Sequence, residues 1–171
     1  MDKIYYSEMD TPIGPLTMVS KNDILILLEY GAFDERKTSI ISWCEKHSIP
    51  TNLERNVDAH ILIHQQLNEY FSKKRKSFTI PYVCYGTPFQ QKVWKALTDV
   101  PFGETKSYKD IAEAVESPKA VRAVGGANNK NPISIIVPCH RIIGMNGKLV
   151  GYGGGIDKKV FLLDLERESE D

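Results

Sequence analysis

The chain has 171 residues, 42% apolar and 26% charged, with 22 acidic and 22 basic side chains and a formal net charge of zero. That length suits one large or two small domains, and the composition suits an ordinary packed core rather than a disordered or fibrous chain. No stretch approaches the ~20 apolar residues of a membrane helix, no basic and apolar leader follows Met1, and the three cysteines (Cys44, Cys84, Cys139) lack metal-ligand spacing, so a cytoplasmic, reduced, disulfide-free protein is expected.

The pattern divides near residue 85. Ile4-Tyr5-Tyr6 and Leu16 to Val19 read as strands around the turn Thr11-Pro12-Ile13-Gly14-Pro15. Asn22-Asp23 is a second turn, and Ile24 to Tyr30 a third, central strand. Two helices are predicted next, roughly Asp34 to His47 and Val57 to Phe71; the second has Ile61, His64, Leu67, Asn68 and Phe71 at spacings of three and four. The basic run Lys73 to Lys76 reads as a solvated loop.

The second half opens on Thr87-Pro88-Phe89-Gln90, a capping box with proline at the first helical position, followed by the apolar face Val93, Trp94 and Leu97. Ser107 to Asp110 repeats the capping pattern before Ile111 to Val115. Ser117-Pro118 is expected to open a helix from Lys119 to Val124 that stops at Gly125-Gly126. Two short helices joined tightly, the second rich in alanine, fit a helix-turn-helix or an ordinary helical hairpin.

No acidic residue lies between Glu116 and Asp157, whereas Lys119, Arg122, Lys130, Arg141 and Lys148 do. Such a segment fits a phosphate-backbone contact or a solvated face. Ile133 to Val137 is predicted to be extended, placing Cys139 where it turns after Pro138. Met145 to Lys148 is a hairpin signal, and Gly151-Tyr152-Gly153-Gly154-Gly155 permits close backbone approach without the Lys-Ser/Thr of a P-loop. Asp157 is expected to cap a last helix carrying Val160, Phe161, Leu163 and Leu165, with Glu166 near its end.

Cys139 beside His140 is the chemically loaded pair, because a thiol becomes a strong nucleophile when a neighbouring base or cation favours its thiolate. A buried, inert cysteine is the alternative. The sequence Val137-Pro138-Cys139-His140-Arg141-Ile142-Ile143, with Asn131-Pro132 before it and Gly151-Tyr152-Gly153-Gly154 after it, resembles the active-site signature of the O6-alkylguanine-DNA alkyltransferases. The resemblance runs from about Thr87 to Glu166.

That resemblance implies an α+β fold. Residues 1–85 would form an RNase-H-like domain, a small antiparallel sheet with helices. Residues 86–171 would form a mostly helical, winged-helix or helix-turn-helix-like domain carrying the active site. It implies that Cys139 accepts the alkyl group irreversibly in a single turnover, that His140 takes the thiol proton through a water, and that Glu166 orients the imidazole. Tyr108 would donate to guanine N3, Asn131 would support the turn before Cys139, and the loop Tyr152, Gly153, Gly154, with Val150 and Ile142, would form the pocket. Double-stranded DNA containing O6-alkylguanine would be the partner, bound through the minor groove by Arg122, Ala120, Ala123, Ala127, Lys119 and Asn128, with Arg122 filling the gap left by the flipped base. O4-alkylthymine stays open as a further substrate. Neither metal nor cofactor is implied, and the protein would act as a monomer.

Two positions depart from the pattern: Asn128, where some relatives carry an apolar residue, and Gly153, where a small side chain is common. A non-catalytic lesion-binding protein is disfavoured by the presence of Cys139. A Cys-His-Glu hydrolase would leave the capped helix pair without a use.

Overall fold

The computed structural model describes residues 1–149 and 151–168, and the chain divides into two compact units, Met1–Tyr85 and Gly86–Asp171. The fold is mixed α+β. In the first unit β1 (Ile4–Thr11), β2 (Gly14–Lys21) and β3 (Ile24–Tyr30) form an antiparallel meander. Helix α1 (Phe33–Lys46) follows. The two-residue strand β4 (Glu54–Arg55) pairs parallel to β1 and completes the order β3-β2-β1-β4. The sequence reading missed β4 because two exposed polar residues carry no alternation signal. A single 3-10 turn (Asp58–His60) leads into α2 (Ile61–Phe71). Ile4, Val19, Ile26, Leu27, Phe33, Ile40, Cys44 and Ile49 form the core cluster of this unit.

One buried polar cluster interrupts the apolar interior. His60 bonds Ser7 Oγ through Nδ1 at 2.6 Å and Ser20 Oγ through Nε2 at 2.8 Å, and Ser7 Oγ also meets His64 Nε2 at 2.9 Å. Burial, with the neighbouring His64, pushes the His60 imidazole down to about 4. Its unfolded value is near 6.5, so the unfolded chain binds the proton first, and stability is lost as pH falls from about 6.5 towards 4. His60→Gln is therefore expected to flatten this acid dependence. For the wild type, a loss on the order of 2–3 kcal/mol is expected between pH 7 and 4, measured by urea unfolding at both pH values.

In the second unit, α3 (Pro88–Thr98) and α4 (Tyr108–Ala114) both start on reciprocal capping boxes. Thr87 Oγ1 accepts from Gln90 N at 3.1 Å while Thr87 N donates to Gln90 Oε1 at 2.9 Å. Ser107 and Asp110 make the same exchange at 3.0 and 2.9 Å. Each box satisfies two helix-end donors, and losing one costs roughly 1 kcal/mol. Trp94, on the buried face of α3, donates from Nε1 to the Ala127 carbonyl at 2.8 Å.

Two expectations about this unit are corrected. Helix α5 runs from Val121 to Asn129, without a side-chain cap at Ala120. It starts later than Lys119 and passes through Gly125-Gly126 instead of stopping there. Each glycine costs roughly 1 kcal/mol of helix propensity, which burial of Val124 and Ala127 outweighs. Residues 133–137 alternate in burial like a strand, but their backbone is a chain of tight turns. Ile135 adopts φ +72° and Val137 N bonds the Ile133 carbonyl at 3.0 Å.

After a 3-10 turn over Cys139–Arg141, β6 (Ile142–Ile143) pairs in parallel with β5 (Lys106–Ser107), which immediately precedes α4. This short ladder brings the start of α4 beside the segment that carries Cys139. Residues 145–148 form a turn, closed by Gly144 N to the Lys148 carbonyl at 2.8 Å. The last helix, α6 (Ile156–Glu168), buries Leu162, Leu163 and Leu165, while Val160 is exposed.

Candidate active site

Cys139 is the first residue of the 3-10 turn, and Pro138 precedes it with φ −82° and ψ 64°. Asn131 holds the approach: its Nδ2 donates to the Val137 carbonyl at 2.8 Å and its Oδ1 accepts from Ile133 N at 3.0 Å. The Cys139 side chain is buried, with the residue only 4% exposed. Burial raises its thiol above the ordinary range, opposed by hydrogen bonds from the Asn131 and Tyr152 side chains and by the charge of Lys159. A thiol so placed rests protonated and needs a base to become nucleophilic.

An imidazole lies next in sequence. His140 is fully buried, and its Nε2 meets Glu166 Oε2 at 2.6 Å. Its Nδ1 is a buried nitrogen without a hydrogen-bond partner among the described residues. Burial, together with the charges of Arg141 and Lys159, lowers the imidazole against the opposing pull of Glu166. Burial also disfavours the Glu166 carboxylate. The hydrogen bonds and charges of His140 and Arg141 overcome it and hold the carboxyl far below its usual range. An ionised Glu166 only accepts, so the neutral imidazole donates from Nε2 and keeps a lone pair on Nδ1.

Glu166 has further donors. Arg141 binds it in a fork, Nε to Oε1 at 2.8 Å and Nη2 to Oε2 at 3.1 Å, and Gly103 N reaches Oε1 at 3.3 Å. Arg141 Nη1 donates to the Val100 carbonyl at 2.8 Å, and the guanidinium lies 5.7 Å from the Phe102 ring centre.

Sequence reasoning missed this arginine pairing, and it also missed Lys159. Lys159 is fully buried, its Nζ donates to the Ile142 carbonyl, and it lies 6.0 and 5.9 Å from the ring centres of Tyr108 and Tyr152. Burial lowers the ammonium, opposed by Cys139. A sequence signal existed, since Lys159 and Glu166 are seven residues apart, two helical turns on one face. The Tyr108 phenol is raised by burial and then by Cys139.

The remaining residues separate into two groups. On α5 and its approach Arg122, Lys119 and Ala123 are exposed, and Ala120 is half-buried. Ala127 and Asn128, expected on the same surface, are instead buried, because with Val124 they form the inward i, i+3, i+4 stripe. Asn128 Nδ2 donates to the Cys139 carbonyl at 3.3 Å, and its Oδ1 has no hydrogen-bond partner among the described residues. Ile142, expected in the pocket wall, is fully buried. Val150 lies outside the described residues. A Cβ on Gly153 would sit 3.4 Å from the Asn129 carbonyl, ordinary contact, so the absence of a side chain there leaves the loop path open to either residue. Gly155, with φ +103° and only 2.7 Å from its virtual Cβ to Asp157 Oδ1, requires glycine.

Comparison with known proteins finds relatives over nearly the whole chain. The family model for the 6-O-methylguanine DNA methyltransferase ribonuclease-like domain matches residues 4–82, and that for the DNA binding domain of the same proteins matches residues 88–168. The chain is 45% identical over 166 residues to a methylated-DNA–protein-cysteine methyltransferase of Methanosarcina mazei, covering 97% of this chain and 99% of that one. It is 45% identical over 167 residues to the constitutive methylated-DNA–protein-cysteine methyltransferase of Bacillus subtilis, covering 96% of each. The crystal structure of Mycobacterium tuberculosis OGT in complex with DNA superposes with a TM-score of 0.83 at 42% identity, over 96% of this chain and 94% of that one. With both halves matched in order and relatives similar over nearly their full length, the chain belongs to the 6-O-methylguanine DNA methyltransferase family.

Proposed function

We propose that Cys139 is the residue that takes the alkyl group from O6-alkylguanine, in a stoichiometric reaction that consumes the protein. The observation that carries this reading is a buried thiol followed in sequence by a buried imidazole, whose Nδ1 has no hydrogen-bond partner among the described residues and whose Nε2 meets a carboxylate at 2.6 Å. The protein is a DNA-repair methyltransferase, and DNA is its partner. The Cys139 S–H proton passes to His140 Nδ1, with a water molecule as carrier, while Glu166 stabilises the imidazolium that forms. The thiolate attacks the alkyl carbon and a C–S bond forms. The C–O bond breaks, its electron pair goes to guanine O6, and the base is protonated to guanine. The Tyr108 phenol and the backbone N–H groups of Tyr152 to Gly154 are the donors available to quench the leaving charge; each preorganised donor of this kind contributes roughly 3 kcal/mol. Thiolate is a poor leaving group from an alkyl carbon, so the thioether persists.

The base must leave the stack to reach a sulfur this buried. Exposed Arg122, Lys119 and Ala123 present the first turn of α5 as the surface for the minor groove, where little sequence is read. The protein works as a monomer, and no described helix is long and apolar enough to cross a membrane.

Incubation with an oligonucleotide carrying O6-methylguanine should add one methylene to the intact mass, mapped to Cys139. Unchanged mass, or continuous turnover of an ester or amide, would defeat the reading. Arg122→Ala should slow repair of duplex DNA by about tenfold, since the finger offsets only part of the few kcal/mol of unstacking. Its reaction with free O6-benzylguanine should be unchanged, because a free base needs no finger to hold it out of a helix. Single-turnover rates on the two substrates separate these outcomes.

A further inference from the structure

The charge balance behind Cys139 assigns a role to Arg141. Glu166 is 1% exposed and accepts hydrogen bonds from Gly103 N, from His140 and, twice, from the Arg141 guanidinium. The guanidinium is itself fixed by the Val100 carbonyl and covered by Phe102. A buried carboxylate needs one compensating positive charge. Without Arg141, the nearest candidate is His140 itself, as an imidazolium with both nitrogens protonated, which cannot then take a proton from a thiol. With Arg141 bound in a fork, the carboxylate is already balanced. A proton on His140 would then be an excess charge in a site that also holds buried Lys159.

We propose that Arg141 is a positioning residue for alkyl transfer: by supplying the counter-charge of Glu166, it reserves His140 as a neutral base with Nδ1 open. This rests on the reading of Cys139 as the alkyl acceptor. The charged groups that act on His140 are Glu166 and Lys159 from α6 and Arg141 from its own segment.

The test is the pH profile of Cys139 alkylation by free O6-benzylguanine, read by intact mass. Removing the guanidinium in Arg141→Met should raise the acid-side midpoint by about one pH unit or more. The rate should recover towards the wild-type value at alkaline pH, where His140 is again neutral. Arg141→Lys keeps a charge and should stay close to the wild-type midpoint. A rate lowered equally at every pH would mean that Arg141 is merely structural, and the proposal would fall.

Should Arg141→Met not fold, nitrogen-15 NMR of the wild-type imidazole at pH 7 decides the matter. A neutral ring protonated at Nε2 is expected, and an imidazolium overturns the proposal. A wild type that forms no thioether would instead sink the reading of Cys139, while the ring's protonation state would still judge Arg141.

Discussion

Cys139→Ala is expected to abolish alkyl transfer completely while leaving affinity for duplex DNA within about twofold. The surface proposed for DNA is the exposed start of α5 and its approach, with Arg122 and Lys119, and a buried sulfur is not expected to add to phosphate contacts, which dominate affinity. Neither of the other thiols can substitute. Burial pushes Cys44 up to about 11, helped by Glu45, and burial likewise raises Cys84 to about 11. At neutral pH about one such thiol in ten thousand is ionised. Cys139 is also raised by burial, but it alone has Asn131, Tyr152 and Lys159 to offset the charge and His140 next to it in sequence. Intact mass after incubation with methylated oligonucleotide, alongside a titration of DNA binding at two salt concentrations, checks both halves of the prediction. Binding that weakens with salt equally in the variant and the wild type is expected. Transfer that persists in the variant would remove Cys139 from its role.

Glu166→Gln is expected to damage both chemistry and folding. A glutamine can still accept from His140 Nε2, yet it leaves the Arg141 guanidinium buried without a counter-charge. Breaking a buried pair by removing one partner costs about 3–5 kcal/mol. In the wild type the carboxyl is held far below its unfolded value of about 4.3, so it stabilises the fold at every pH above that value. This contribution is lost progressively as pH falls from about 4.3 towards the depressed folded value, and the variant lacks it throughout. The variant also loses the negative charge that stabilises the imidazolium during proton transfer, so the single-turnover rate should fall by roughly 10²–10⁴. Urea midpoints and rates measured at pH 7 test the two effects separately. A variant with the wild-type rate would exclude Glu166 from the proton path, whatever its stability.

Much of the fold is legible along the chain because it is local. The capping boxes at Thr87 and Ser107 form between residues three apart, and the meander β1 to β3 follows from apolar runs broken by turn residues. The adjacency of Cys139 and His140, and the Asn131 bonds across two and six residues, belong to the same range. Where local reading failed, a distant partner had overruled it. The glycine pair inside α5 signals a stop, but the Ala127 carbonyl is held by Trp94, 33 residues earlier in the chain. The buried alternation of residues 133–137 is that of a strand, yet after a bridge at Ile133 their backbone folds into turns, closed by Val137 N to the Ile133 carbonyl.

By itself, then, the sequence determined most of the elements, the adjacency of Cys139 and His140 and the family signature, all set by contacts within about one helical turn or by the order of motifs. Only the tertiary structure decided the charge state of the site. Glu166 meets His140 across 26 residues, Arg141 across 25 and Gly103 across 63, and Arg141 meets Val100 across 41. Lys159 and Arg141 look like any surface cations in a linear reading. They become chemical groups only because folding removes water from around them, and a charge without water must find its partner in the protein.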